Sequence, residues 1–219
     1  SIDELRASID TLEGTENLDV IFGSTRGETI LGFEGNDLIA AGQGDDTVYA
    51  ADGNDYVEGG QGDDVIYGGA GNDRLMAGYS QGSDTLIGGL GDDRLEGKDG
   101  NDSYIFNLGD GQDTVRDYSG EDLLLINEVS YDNLWFSQQD NDLEITLAGT
   151  DDKVTVSNWF GNDDYQVEQI EVGDSVLLNT QVDQLVSAMA AYNVPSGAGN
   201  VIPQETKDAL QPVLAASWS

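Results

Sequence analysis

The sequence contains no cysteine and no histidine, and these two absences exclude several kinds of functional site. Without cysteine the chain can form neither a disulfide nor a thiolate metal site. Without histidine it has no histidine-based zinc site, no histidine general base and no Ser-His-Asp triad. No apolar run approaches the ~20 residues that a membrane-spanning helix requires. The chemistry of this chain must therefore come from other side chains or from the backbone.

Basic residues are scarce, with 8 lysines and arginines against 43 acidic residues and a formal net charge of −35 at pH 7. This balance argues against a nucleic-acid partner, because phosphate contacts need lysine and arginine. It also argues against adsorption to anionic membranes. A compact body of this charge repels itself unless something neutralises it. A halophilic or merely soluble surface is the alternative, but the acids recur in register instead of being scattered.

The N-terminal stretch SIDELRASID has neither the basic start nor the apolar stretch of a cleavable signal peptide. We expect this end to be an internal cut in a longer protein.

Glycine and aspartate recur together at a period of nine residues. From Gly32 to Ile105 the units follow the pattern G-G-x-G-x-D-x-U-x, in which U is a large apolar residue. One unit, Ala77–Ile87, is two residues longer, and two units before Gly32 keep the period but lose parts of the motif. Eight units in register argue for a repeat architecture and against a low-complexity linker. The eighth position holds Ile39, Val48, Val57, Ile66, Leu75, Leu86, Leu95 and Tyr104.

These residue types suit calcium. Calcium takes 6–8 oxygen ligands from carboxylates and main-chain carbonyls, whereas magnesium demands near-octahedral geometry and dehydrates reluctantly. The glycines allow positive φ, which turns carbonyl groups inward, and the sixth-position aspartate supplies charge. The apolar eighth residue faces a thin core that only stacked units can bury.

The nonapeptides resemble those of the RTX (repeats-in-toxin) calcium-binding proteins. The resemblance implies an all-β fold, a right-handed parallel β-roll in which two nonapeptides make one coil and calcium lies between stacked turns. On that basis Asp37 pairs with Asp55 on one edge, and Asp46 pairs with Asp64 on the other. The expected metal ligands are main-chain carbonyls of the glycine-rich turns together with Asp37, Asp46, Asp55, Asp64, Asp73, Asp84, Asp93 and Asp102.

Four further acids extend the candidate set. Asp19 keeps the register but lacks the glycine turn, and Glu28 stands where aspartate is expected, with its carboxylate displaced by one methylene. Asp113 lies in a unit that is two residues longer than nine, and Asp122 lies in a unit with fewer glycines that returns to the nine-residue period. We therefore expect the roll to continue to about Leu125. For Asp113 and Asp122 the alternative is an acid on a solvated turn. Asp92, beside Asp93, is expected to contribute its backbone and not its carboxylate.

The composition changes from Asn133 onward. Alternating apolar residues predict a hairpin from Leu143 to Val156, and a bulged strand is predicted over Tyr165–Val172. After a turn at Gly173-Asp174 comes a short strand over Val176–Leu178. Helical spacing predicts a helix over Gln181–Tyr192, and one or two helical turns follow Pro203.

Four regions result. Residues 1–31 are degenerate leading repeats, 32–125 the β-roll, 126–180 a C-terminal β capping region, and 181–219 a helical tail. The stretch from Tyr165 on, including LVSAMAAY and the closing Trp218, is similar to the C-terminus of the adenylate cyclase (haemolysin) toxins, and the resemblance implies a type I secretion signal at the C-terminal end. The large aromatic side chains of the capping region either stack on sugars or, as we expect, cover the open end of the roll; they are Trp135, Phe136, Trp159 and Phe160.

We therefore expect a non-catalytic, calcium-binding module of a secreted, extracellular toxin, with several Ca²⁺ ions and no other cofactor. It would be unfolded at low calcium for type I secretion, and the cap would nucleate the roll outside the cell. The implied partners are the type I secretion apparatus, upstream toxin domains and a host-cell surface; we expect a monomer. The alternative is an adhesion module of a large RTX surface protein. Paired carboxylates can hydrolyse glycosides, but these acids lie on a repetitive scaffold and not in a singular cleft, so an enzyme is not expected.

Overall fold

The computed structural model describes residues 11–78, 81–195 and 199–218. The N-terminal stretch discussed above lies outside these residues. Within them the chain forms short strands and two α-helices, α1 (Asn179–Met189) and α2 (Gln204–Ser217). The strands are β1 (Thr11–Glu13), β2 (Val20–Phe22), β3 (Thr29–Leu31), β4 (Leu38–Gln43), β5 (Thr47–Asp52), β6 (Tyr56–Gln61), β7 (Val65–Ala70), β8 (Arg74–Gly78), β9 (Thr85–Leu90), β10 (Arg94–Asp99), β11 (Ser103–Phe106), β12 (Gln112–Ser119), β13 (Leu123–Ile126), β14 (Leu134–Gln139), β15 (Asp142–Leu147), β16 (Lys153–Val156), β17 (Gln169–Val172) and β18 (Ser175–Leu178).

Alternate strands belong to opposite sheets, as expected for a roll with two nonapeptides per coil. The first sheet runs β1-β3-β5-β7-β9-β11-β13-β17-β18, and the second runs β14-β15-β16-β12-β10-β8-β6-β4-β2. From β1 to β13 every pairing is parallel; β5, for example, pairs with β3 and β7. The predicted parallel β-roll is therefore confirmed.

The register between paired parallel strands gives the number of residues in each coil. Val48 lies beside Ile66, 18 residues on, which is two units of nine. Ile66 lies beside Leu86, 20 residues on, because the longer unit Ala77–Ile87 falls within that coil. The turns absorb the two extra residues, so the apolar column stays in line.

The core is a narrow strip between the sheets. Every predicted eighth-position side chain is at most 2% exposed, and Val115 and Leu124 continue the strip as expected. Because strands alternate their side chains between faces, one apolar residue per unit is enough to fill a core this thin.

The outer face of the second sheet gathers basic residues. Arg74, Arg94 and Lys98 all donate to the buried carboxylate of Glu96, and the Lys98 ammonium lies 4.9 Å from the Tyr118 ring centroid on the next coil. Burial alone would raise the pKa of Glu96, but the Lys98 and Arg94 bonds lower it to about 2. These contacts tie three successive coils together.

Both sheets continue into the C-terminal region, where strand pairing switches from parallel to antiparallel. β12 pairs in parallel with β16, which then pairs antiparallel with β15 in the predicted hairpin. β13 pairs in parallel with β17, which pairs antiparallel with β18. The cap is thus a continuation of both sheets and covers the last coil.

Three local predictions need correction. Residues 165–167 are not part of a strand, because Asn162 caps a single 3₁₀ turn over Asp163–Tyr165 and β17 starts only at Gln169. The helix predicted from Gln181 begins two residues earlier and ends at Met189. The last helix runs over 14 residues, with Pro212 inside it, where at most two turns were expected.

The large aromatics of the cap belong to its core. Trp135, Phe136 and Trp159 are at most 1% exposed, and Phe160 packs against the core partly buried. Burial of Trp135, Phe136 and Trp159 leaves no ring face of these three side chains open for a sugar and agrees with the expectation that they cover the end of the roll. Trp218 also packs in the cap, where its ring centroid lies 5.4 Å from that of Tyr131. Among the described residues, neither helix has the length and apolar character to cross a membrane.

Candidate metal centre

The sixth-position aspartates form two continuous columns, one along each edge of the roll. In each column the backbone N–H of one aspartate donates to Oδ1 of the aspartate one coil further on. Asp37 donates to Asp55 at 2.7 Å, and Asp55 donates to Asp73 at 2.8 Å. On the other edge Asp46 donates to Asp64 at 2.8 Å. The structure therefore stacks the predicted pairs directly, and the bonds continue through Asp84, Asp93, Asp102, Asp113 and Asp122.

In nine of these aspartates the second carboxylate oxygen is buried and accepts no hydrogen bond from the described residues. A buried oxygen without a partner carries the full penalty of desolvation, so such atoms need an explanation. A bound cation supplies one. The oxygens are Oδ2 of Asp37, Asp46, Asp55, Asp64, Asp73, Asp93, Asp102, Asp113 and Asp122.

The glycine turns leave room beside these oxygens. A Cβ on Gly68, the first position of its unit, would lie 2.4 Å from Asp73 Oδ2 and 2.5 Å from the Gly88 carbonyl oxygen. A Cβ on Gly71, the fourth position, would lie 1.7 Å from the Gly53 carbonyl oxygen one coil back. At Gly68 a carboxylate and a carbonyl oxygen thus converge on space that any side chain would fill, and at Gly71 the backbones of two coils approach too closely for a side chain. Oxygen atoms of these two kinds are the ligands that calcium prefers.

The electrostatics also favour a cation. Burial, together with the charge of nearby carboxylates, raises the pKa of Asp64, Asp73 and Asp102 to about 7. Burial likewise raises the pKa of Asp113 to about 8. The backbone N–H bonds to Oδ1 act in the opposite direction but do not offset burial. Without a cation, these sites favour protonated carboxyl groups.

Comparison with known families agrees with this geometry. A family described as the RTX calcium-binding nonapeptide repeat matches four overlapping segments, residues 22–57, 31–65, 49–78 and 80–115. The haemolysin-type calcium binding protein related domain matches residues 142–181, in the cap. The chain belongs to the RTX calcium-binding family. It follows that the RTX roll binds calcium, and several repeats bind several ions.

One solved structure that matches part of the chain is that of the extracellular lipase LipA from Serratia marcescens, at 20% identity and a TM-score of 0.41. The match covers 74% of this RTX chain and 40% of the lipase chain, so this chain spans less than half of that structure. A similarity at this level carries no conclusion about activity. Both matching family models describe calcium-binding segments and not a catalytic domain.

The two leading turns of the RTX roll differ from the regular ones. Asp19 Oδ2 accepts bonds from the Thr15 backbone N–H at 2.6 Å and from the Thr15 hydroxyl at 2.9 Å. Glu28 accepts the equivalent bonds from the Ser24 N–H and hydroxyl. A hydroxyl residue at the second position thus satisfies the acid that would otherwise face a metal. The structure places Asp19 and Glu28 in turns closed by protein groups.

Asp113 and Asp122 instead match the regular aspartates. Each is 1% exposed, accepts a backbone N–H on Oδ1 and leaves Oδ2 without a hydrogen-bond partner among the described residues. The alternative of an acid on a solvated turn is therefore wrong for both. Asp92 is exposed, and its Oδ1 accepts the backbone N–H of Gln112 at 3.1 Å. Its carboxylate therefore caps the next coil and lies away from the Oδ2 column.

Sequence reasoning missed Asp117, which is fully buried beside Asp102 and Asp122. It stands at the first position of its unit, DYSGEDLLL, where the regular units carry glycine or alanine. That departure from the pattern was the available signal.

Proposed function

We propose that this chain is a calcium-gated folding module of a secreted RTX protein, unfolded where calcium is scarce and folded where it is abundant. The observation that carries the proposal is the column of buried Oδ2 atoms along each edge of the roll that accept no hydrogen bond within the described ranges of the chain. A roll without calcium must either protonate these carboxyl groups or bury uncompensated charge. The same roll with calcium gains ligand bonds at its regular turns.

The energy scale supports coupled binding and folding. At a free calcium concentration ~100-fold above Kd, each independent site contributes roughly 2.7 kcal/mol to the folded state. Several such sites exceed the net stability of an ordinary domain, ~5–15 kcal/mol. Glycine-rich turns add an ordering cost that binding has to offset. Calcium is therefore expected to decide whether the roll forms.

This switch would serve export by the type I secretion apparatus. An unfolded chain can pass through a narrow channel, and calcium at about millimolar level outside the cell would saturate even weak protein sites. The C-terminal cap would emerge first and offer both sheet edges on which the next coils can form. Folding outside would then prevent the chain from sliding back. A toxin role, upstream toxin domains, a host-cell surface and a monomeric state belong to this proposal.

The first test is a calcium titration of the chain followed by far-ultraviolet circular dichroism. We expect a disordered spectrum in excess chelator at neutral pH and a strand-rich spectrum at millimolar calcium, with a steep transition. Magnesium at the same concentration serves as the control and should leave the chain disordered. A strand-rich spectrum in chelator would contradict the proposal.

Adhesion is the second candidate, and one observation favours it. The rings of Tyr49 and Tyr67 stack 4.7 Å apart on the outer face of the first sheet and are 42% and 37% exposed. Exposed aromatic faces can stack on sugars. A glycan screen in calcium should then lose its signal when both tyrosines are changed to serine; an unchanged signal, or none in the native chain, would reject this role.

A further inference from the structure

The last coil of the roll carries a third buried carboxylate beside a sixth-position pair. Asp102 and Asp122 stack one coil apart, and Asp117 joins them, so that one oxygen from each lies within 4.8 Å of the others. All three residues are at most 1% exposed. Buried acids at this spacing repel one another unless a cation or protons intervene.

Asp117 is fixed by protein groups on both of its oxygens. Oδ1 accepts the backbone N–H groups of Tyr118 and Ser119. Oδ2 accepts the Tyr104 hydroxyl, a single bond that leaves one lone pair for a cation, whereas Asp19 Oδ2 accepts two bonds. The Tyr104 oxygen in turn accepts the Gly97 N–H at 2.9 Å. This network sets the orientation of the Asp117 carboxylate, in the way that outer-shell hydrogen bonds orient metal ligands.

Other oxygens at the same place remain open. Oδ2 of Asp102 and Oδ2 of Asp122 are buried and accept no hydrogen bond from the part of the chain that the structure describes. A Cβ on Gly97 would lie 2.1 Å from the Tyr104 hydroxyl oxygen, 2.3 Å from Asp102 Oδ2 and 2.8 Å from Asp117 Oδ2. The Tyr104 hydroxyl oxygen and carboxylate oxygens from two coils therefore converge at a position that only glycine can occupy.

The position of this cluster links the roll to the cap. The Asp122 backbone N–H donates to Glu168 Oε2 at 2.8 Å, and β13, which begins next to Asp122, pairs with β17 of the cap. An ion bound at this cluster would hold the last coil of the roll in place against the cap.

We propose that Asp102, Asp117 and Asp122 bind one calcium ion through three carboxylates, and that this is the tightest calcium site of the chain. Calcium affinity rises with the number of charged ligands and the rigidity of the site. A turn with a sixth-position pair offers two carboxylates, whereas this site offers three, one of them already oriented by Tyr104. The inference rests on the proposed calcium-dependent function and adds a third carboxylate ligand, Asp117, that the nonapeptide pattern does not contain.

The test compares Asp117→Asn with Asp92→Asn by native mass spectrometry and equilibrium dialysis at stepwise calcium concentrations. Both changes remove one negative charge, but the exposed Asp92 stands at the fifth position, where Asn54 and Asn72 occur naturally. We expect Asp117→Asn to weaken the tightest site about tenfold or more, whereas Asp92→Asn keeps it. Equal affinity of the tightest ion in both variants would overturn the proposal.

A second variant, Tyr104→Phe, tests the three-carboxylate site even if Asp117→Asn fails to fold. It keeps all three carboxylates and removes the hydroxyl group that donates a hydrogen bond to Asp117. Terbium added below one equivalent should luminesce on tyrosine excitation in the native chain, and the Phe variant should lose most of that signal. An undiminished signal would show that the tightest site lies elsewhere. The ion-binding measurements are independent of the folding test. A chain that is already strand-rich in chelator would refute the proposed function, but the affinity measurements would still show whether Asp117 contributes to the tightest calcium site.

Discussion

Each sixth-position aspartate divides its two oxygens between two roles. In Asp73, for example, Oδ1 accepts the Asp55 N–H and Oδ2 remains buried and unpartnered among the described residues. The repeat pattern alone predicted the position of these acids and the apolar residue two places on. It did not predict which oxygen belongs to the fold, because that depends on stacking between residues 18 or 20 apart.

A residue-scale prediction concerns the fourth-position glycines. Gly71 has φ of +130°, and a Cβ there would lie 1.7 Å from the Gly53 carbonyl oxygen, whereas a Cβ on Gly173 would meet nothing within 4 Å. Gly71→Ala should raise the calcium concentration at the folding midpoint several-fold, because strain of about 1–3 kcal/mol opposes the folded coil. Gly173→Ala is the control and should shift the midpoint less. Equal midpoints for the two variants, measured by circular dichroism, would contradict this view of the turns.

The leading turns show how much a single residue type decides. Thr15 and Ser24 occupy the second position, where most regular units carry glycine, and their hydroxyl groups satisfy Asp19 and Glu28. The missing glycines were visible in the sequence. The consequence, a turn closed without a metal, required the side-chain geometry.

At the scale of elements, periodicity predicted the roll well and the cap in part. The hairpin of β15 and β16 and the strand β18 follow from alternation. β14 was not predicted, because its buried face is set by the antiparallel partner β15 and by α1. The length of α2 was underestimated, because the helix continues beyond the two turns expected after Pro203 and contains Pro212.

The cap is predicted to control folding of the coils. Removal of all residues after Tyr131 takes away β16 and β17 and leaves the edges of β12 and β13 unpaired. We expect this shortened chain to lose calcium-induced strand formation at millimolar calcium. Removal of residues 1–31 is the matched control, because β1, β2 and β3 are three-residue strands at the opposite end. If the roll without its cap folds at the same calcium level as the control, the cap is not the nucleus.

At the scale of the whole molecule, the charge of −35 and the buried carboxyl groups act together. Burial raises the pKa of Asp64 and Asp73 to about 7 in the metal-free roll, whereas the ordinary value of an aspartate is 3.8. A pKa that is raised on folding stabilises the metal-free roll below pH ~4 and ceases to do so as pH rises through about 7. Neutral pH therefore disfavours the empty roll and leaves calcium as the means of folding.

The number of protons released on calcium binding distinguishes coupled folding and binding from binding to a preformed roll. An unfolded chain at pH 6.5 holds almost no carboxyl protons, so coupled folding and binding should release close to none. A preformed roll would hold protons on the groups with a pKa of about 7, such as Asp64 and Asp102, and calcium would displace them. Calorimetric titration at pH 6.5 in buffers of different ionisation enthalpy measures the number. Release of several protons would favour the preformed roll.

Hydrogen exchange of the sixth-position backbone amides tests the central claim most directly. These N–H groups, such as those of Asp37, Asp55 and Asp64, donate to Oδ1 of the next coil only when the roll is stacked. In excess chelator at neutral pH we expect them to exchange at the rate of an unstructured chain, and in millimolar calcium to be strongly protected. Protection of these amides in chelator would contradict the account, because the roll would then form without its metal.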